Sequence, residues 1–210
     1  MIAHDGPWLA KNDNLICFGD SLTAAKDGYV DLLLARLKPR GISVVKSGRG
    51  GDKTPWALTR LVPDVIDLKP DAVSIFLGSN DGVVGRGRWA DEPRITPEAY
   101  RCNLVWIMHL CMLRGIRKFS ITPPLWRYEG EIYREFGDPF APFRLAARDA
   151  ADEMRARFVP ADVAFEREWE KRPGHSGLLL TTDGMHLNAD GNKLVADAML
   201  KAWGMEDGPA

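Results

Sequence analysis

The chain has 210 residues, 45% hydrophobic and 27% charged, with a formal net charge of −1. This fits one globular domain whose core needs no metal or disulfide staple, and it argues against the strongly basic face of a nucleic-acid binder. No apolar run approaches the ~18 residues of a membrane span, and Met1 to Asn14 lacks the apolar stretch and cleavage site of a signal peptide.

Leu15 to Phe18 is a short apolar run closed by Gly19 and reads as a buried strand. Tyr29, Val30, Leu33, Leu34 and Leu37 follow at helical spacing, stopped by Pro39 and Gly41. Ile42 to Val45 is strand-like. Thr54-Pro55 reads as a helix cap followed by proline at the first helical position. The stripe Leu58, Leu61, Val62, Val65 and Leu68 continues that helix, with Pro63 expected to break or kink it. Ala72 to Leu77 is the next buried strand, and Gly82 to Pro93 a glycine-rich charged loop. Thr96-Pro97 opens a long helix to about Arg114. Phe119 to Thr122 is a strand stopped by Pro123-Pro124, and Leu125 to Phe143 an ordered aromatic insertion without a clean period.

Arg144 to Arg157 is helical, Phe158-Val159 a short strand, and Ala164 to Lys171 a further helix. Asn188 caps the last helix, closed by Gly204. No repeat or low-complexity tract occurs, so a single domain over 1–210 is expected, with its core at about 14–204. Three cysteines, Cys17, Cys102 and Cys111, cannot all pair and form no C-x-x-C. They read as reduced packing residues, which points to the cytoplasm.

Alternating strands and helices imply βα units, a parallel sheet and a three-layer αβα sandwich. Ligands in such folds bind beyond the carboxyl ends of the strands. Four polar clusters fall there: Gly19-Asp20-Ser21-Leu22-Thr23, Gly48 to Thr54, Gly78-Ser79-Asn80-Asp81-Gly82, and Asp183-Gly184-Met185-His186. A serine hydroxyl needs a base to become a nucleophile. An aspartate three residues before a histidine can hold the imidazole in the tautomer that leaves Nε2 free to take the Ser21 proton. The Ser21 and Gly51 N–H groups and the Asn80 amide are candidate donors to an oxyanion.

In order and content these blocks resemble the SGNH hydrolases, also called the GDSL esterase/lipase family. Ser21, Gly51, Asn80 and His186 match its four namesake residues, and Asp183 its aspartate. The resemblance runs from residue 19 to residue 191. It implies a flavodoxin-like fold with a central parallel sheet of about five strands, and ester hydrolysis without a metal or other cofactor. Two departures occur. Leu187 stands where many members have proline, and Lys53 is inserted before Thr54, which leaves Gly50 as a second glycine for the Gly51 role.

Other readings fit less well. A Walker loop needs glycine before its lysine, where Asp52 stands, and Thr23 replaces the second glycine of a G-x-S-x-G elbow. Asp20, Asp52, Asp81 and Asp183 could ligate a metal in a phosphoesterase, but the first three read better as brackets for loop amides. A non-catalytic carbohydrate- or acyl-binding module would not need Ser21, Asp183 and His186 together. His4, His109 and His175 read as surface, packing and loop residues. Trp126, Arg127, Tyr128, Tyr133, Phe136 and Phe143 cluster in the insertion, and Trp126, Tyr128 and Tyr133 are the candidate substrate contacts. Arg49, Lys53, Arg86 and Arg88 are candidate rim cations. The expected substrate is a small-molecule, acetyl-type ester, with carbohydrate esters as one candidate class and a thioester second. Neither a membrane nor a nucleic-acid partner is expected. A homo-oligomer stays open.

Overall fold

β1 (Asn14–Gly19) and β3 (Ala72–Phe76) are buried along almost their whole length, which is why both read as continuous apolar runs rather than alternating ones. With β2 (Ser43–Gly48), β4 (Lys118–Thr122) and β5 (Arg157–Phe158) they form one five-stranded sheet, ordered β2-β1-β3-β4-β5, every pair parallel. A computed structural model describes residues 6–83, 91, 93–125, 129–130, 134–135 and 137–206. Its helices are α1 (Ser21–Ala24), α2 (Tyr29–Leu37), α3 (Thr54–Asp64), α4 (Pro97–Leu113), α5 (Ala141–Glu153), α6 (Ala161–Glu170) and α7 (Ala189–Ala202).

The strands divide the interior into two cores. On one face Leu15, Cys17 and Phe76 pack with Tyr29 and Leu33 of α2, Phe165 of α6, and Val195 and Met199 of α7. On the other, Ile16, Phe18 and Ile75 pack with Leu61 of α3, Leu104 and Met108 of α4, and Ala147 and Ala151 of α5. The result is the three-layer αβα sandwich that the alternation implies. Strand order reverses between β1 and β3, so the crevice beyond their carboxyl ends is the expected ligand position.

Several boundaries differ from the sequence reading. Lys53, not Thr54, is the cap residue of α3, and Thr54 is its first helical residue; its hydroxyl is directed to Asp81 instead. Pro63 lies in the last turn of α3, which ends one residue later. α5 begins at Ala141, with Pro142 in its first turn. It stops at Glu153, so Arg157 enters the sheet rather than ending a helix. α6 begins at Ala161 rather than Ala164.

Candidate active site

Two glycines set the path of the chain around Ser21. A Cβ on Gly19 would lie 2.0 Å from Thr23 Oγ1 and 2.5 Å from the Phe76 carbonyl oxygen, and one on Gly48 would lie 2.2 Å from the Ala24 nitrogen. The absent side chains let the turn after β1 fold directly onto the ends of β2 and β3. Asp20 Oδ1 accepts from Leu22 N at 2.9 Å and caps α1. Thr23 Oγ1 and the Tyr29 hydroxyl hydrogen-bond at 2.8 Å beneath it. Ser21 itself is partly exposed.

The Asn80 amide joins the three strand exits. Its nitrogen donates to Asp20 Oδ2 at 3.2 Å, after β1, and to the Asp52 carbonyl at 3.1 Å, after β2. Gly50 faces Ser21, with a built Cβ 4.0 Å from the Ser21 Cβ. Gly51 has φ +79° and open space around it, and its N–H donates to no backbone carbonyl among the described residues. The structure therefore brings Ser21, Gly50, Gly51 and Asn80 to one edge.

Below them lies a residue that the sequence did not single out. Arg60 of α3 is buried, with its Nε 2.5 Å from Asp52 Oδ2. Its Nη2 donates to the Gly19 carbonyl at 2.8 Å and its Nη1 to Ser47 Oγ at 3.1 Å. The guanidinium also stacks 4.4 Å from the centre of the Phe18 ring. One cation thus fixes the ends of β1 and β2 and the loop bearing Gly51. Of the three predicted brackets, Asp20 and Asp81 do accept backbone amides, though from the first turns of α1 and α3 rather than from loops, while the Asp52 carboxylate is taken by Arg60. Asp81 accepts Thr54 N at 3.0 and 3.1 Å and the Thr54 hydroxyl at 2.5 Å. Burial pushes its carboxyl up from 3.8 to about 6, against those hydrogen bonds and the Lys53 charge.

Asp183 and His186 occupy a tight loop closed by Thr182 N to the His186 carbonyl at 2.8 Å and Asn188 N to the Leu180 carbonyl at 3.0 Å. Asp183 Oδ2 lies 2.7 Å from His186 Nδ1, while Oδ1 accepts Met185 N at 2.9 Å and His186 N at 2.7 Å. Burial works to raise the Asp183 carboxyl, but the bonds from the His186 ring and the two backbone N–H groups outweigh it and hold it below the ordinary value. The two side chains are 51% and 49% exposed, so solvent screens their attraction and the bond acts chiefly to orient the ring. Asn192 of α7 ties the loop to the start of α2. Asn192 Nδ2 donates to the Leu187 carbonyl at 3.2 Å and its Oδ1 accepts Tyr29 N at 2.9 Å. No hydrogen bond joins Ser21 to His186 among the described residues.

The model of the GDSL-like lipase/acylhydrolase family matches residues 17–194. The chain belongs to this family. An Arabidopsis thaliana protein named GDSL esterase/lipase is 27% identical over 209 residues, covering 89% of this chain and 84% of its own. The Escherichia coli protein named thioesterase 1/protease 1/lysophospholipase L1 is 25% identical over 199 residues, 91% of this chain and 84% of its own. An uncharacterized Bacillus subtilis lipoprotein is 27% identical over 119 residues, and the chain spans 48% of its length. The crystal structure of an acetylxylan esterase from Geobacillus stearothermophilus superposes with a TM-score of 0.79, at 23% identity over 94% of this chain and 96% of that one. That likeness is one of fold. The GDSL match places the chain among the carboxylic ester hydrolases.

The other GDSL site expectations divide. Trp126, Tyr128 and Tyr133 lie outside the described residues, as do Arg127, Phe136, Arg86, Arg88 and His4. Phe143 is buried in α5. Lys53 is not a solvated rim cation: it is buried, donates to the Pro93 carbonyl at 2.8 Å and lies 5.0 Å from the centre of the Trp56 ring. Arg49, His109 and His175 are exposed, and His175 stacks 5.4 Å from Trp169. Among the described residues no three His, Cys, Asp or Glu side chains converge as metal ligands, and no helix is long and apolar enough to cross a membrane.

Proposed function

We propose that this GDSL hydrolase is a serine esterase that cleaves short, acetyl-type esters, with Ser21, His186 and Asp183 as nucleophile, base and orienting carboxylate. The observation that carries the reading is the 2.7 Å contact between Asp183 Oδ2 and His186 Nδ1. With the Nδ1 proton directed to Asp183, Nε2 is the basic nitrogen. It takes the Ser21 proton as Oγ attacks the ester carbonyl. The Ser21 and Gly51 N–H groups and the Asn80 amide receive the oxyanion. His186 then protonates the leaving alcohol, and a water deprotonated by the same nitrogen releases the acid. In apo sites the nucleophile–base bond is commonly unformed and tightens with substrate. Both Asn80 amide hydrogens have protein acceptors at 3.1 and 3.2 Å. On this reading the oxyanion displaces or shares one of those long bonds.

The acetyl preference draws support from the fold shared with an acetylxylan esterase. A thioesterase of the same mechanism is the second reading, favoured by the name of the E. coli relative. We also propose a cytoplasmic setting, supported by three free cysteines, two of them buried; cell fractionation tests it.

The deciding experiment is turnover of a p-nitrophenyl ester chain-length series with a chelator present and Ser21→Ala in parallel. The expected result is chelator-resistant turnover, fastest for acetate and absent in the variant. Turnover that survives Ser21→Ala refutes the mechanism, and a preference for long chains or for thioesters refutes the substrate assignment.

A further inference from the structure

The Asp183–His186 loop is gripped from outside by a side chain that the mechanism above does not use. Glu129, just beyond β4, is 3% exposed. Its carboxylate accepts Leu180 N at 2.7 Å on one oxygen, and Thr181 N at 3.0 Å together with the Thr181 hydroxyl on the other. The hydroxyl has a single proton and gives it to Glu129. Its lone pairs are then left to face Gly184 N, which donates to it at 2.9 Å. Gly184 directly follows Asp183. One carboxylate therefore fixes the entry to the loop and, through Thr181, its apex.

The backbones are pressed together at the same place. A Cβ on Gly184 would lie 2.8 Å from the Gly130 Cα and 3.2 Å from the Glu129 carbonyl oxygen. Two antiparallel contacts, Thr182 with His186 and Asn188 with Leu180, close the loop on its inner side. Glu129 holds the outer side.

The choice of residue is informative. Among the described residues no cation pairs with Glu129; its partners are neutral N–H and O–H groups. A buried carboxylate held only by neutral donors is an expensive way to hold a loop. It is also the side chain that offers two acceptor oxygens and no donor, matching three converging donors. Glutamine would turn an N–H toward one of them.

We propose that Glu129 is a positioning residue for the reaction. It fixes the 180–184 backbone so that Asp183 keeps its bond to His186 and the imidazole keeps its aim, and it couples the segment after β4 to the proton-transfer pair. The inference rests on the reading of Asp183 and His186 given above. The Glu129 carboxylate bonds to Leu180 and Thr181 and, among the described residues, to none of Ser21, Asp183 and His186, and a small misplacement of a catalytic group is enough to slow turnover greatly.

The test compares Glu129→Gln, Thr181→Val, Thr181→Ser and His186→Ala with the parent. The measurements are kcat and KM on p-nitrophenyl acetate, the low-field NMR signal of the His186 Nδ1 proton, and thermal unfolding. Glu129→Gln is expected to lower kcat about tenfold to a hundredfold, with KM changed less than about threefold, and to lose or broaden the Nδ1 signal. Thr181→Val is expected to act in the same direction, and Thr181→Ser, which keeps the hydroxyl, to restore near-parent turnover.

A folded Glu129→Gln with parent-like kcat overturns the proposal. So does one that loses thermal stability while keeping the Nδ1 signal sharp, because that is the mark of a purely structural role. Should Glu129→Gln not fold, parent-like kcat in Thr181→Val overturns it equally. His186→Ala separates the two levels. If it is inactive while Glu129→Gln is fully active, only the positioning role falls; if it is active, the reading of the pair falls and the positioning role with it.

Discussion

Asp81→Asn isolates the cost of a buried charge beside Asn80. Asp81 is 2% exposed and receives the Thr54 N–H and hydroxyl. Burial is the largest influence on its carboxyl and raises it from 3.8 to about 6. The folded chain therefore binds a proton more tightly than the unfolded one between those values. The sign follows: stability from this group is greatest below the unfolded value and is lost as pH rises through about 6. The difference between 3.8 and about 6 corresponds to a ceiling of about 3 kcal/mol.

Asparagine removes the charge, and its one carbonyl oxygen can accept both the Thr54 N–H and the hydroxyl. For a chain of this length each kcal/mol moves Tm by roughly 2–4 °C, so Asp81→Asn should raise Tm by as much as about 6–12 °C at about pH 8. The gain should fall to about half near pH 5 and vanish only below about pH 4, where the folded and the unfolded parent are both protonated. Calorimetry or circular-dichroism melts across that range are the assay. An equal loss of Tm at both ends would refute the reasoning, since the charged hydrogen bonds to Thr54 would then outweigh burial.

Arg60→Met should cost about 3–5 kcal/mol, because it strands the buried Asp52 carboxylate. Adding Asp52→Asn should recover part of that loss, as denaturant melts of both variants would show. Gly48→Ala should lower both Tm and kcat, since its Cβ meets backbone at 2.2 Å. Gly50→Ala, with only an ordinary 4.0 Å contact, should leave Tm unchanged. Asn80→Ala should reduce kcat on the order of a hundredfold or more, as loss of one oxyanion donor does; steady-state kinetics on p-nitrophenyl acetate checks it.

The residues that read correctly in the sequence are those whose signal is local. β1, β3 and β4 are apolar runs closed by glycine or proline, and Asp183 reaches His186 across three positions. The misreadings have distant causes. Thr54 looks like a cap, yet its hydroxyl is claimed by Asp81 from another strand exit. β5 is read one residue late, because its two-residue span is set by pairing with Ser120 and Ile121 of β4 and carries no period of its own. α5 begins among Phe140, Pro142 and Phe143, whose bulk hides a helical start. Arg60 looks like the polar face of an amphipathic helix until Asp52, Gly19 and Ser47 are folded around it. Glu129 has no local pattern at all, because its three donors lie more than fifty positions away.

Half of the Asp183–His186 pair faces solvent, so bulk water reaches the imidazole. On the proposed mechanism, an acyl group resting on Ser21 would therefore partition to the free acid. A competing alcohol would win only if the protein held it against the acyl carbon at high effective concentration. By the same geometry, a substrate whose alcohol moiety covers the imidazole on binding supplies the dry surroundings that the open loop lacks. Selectivity among acetyl esters would then reside as much in the shape of the group that leaves as in the pocket for the group that stays.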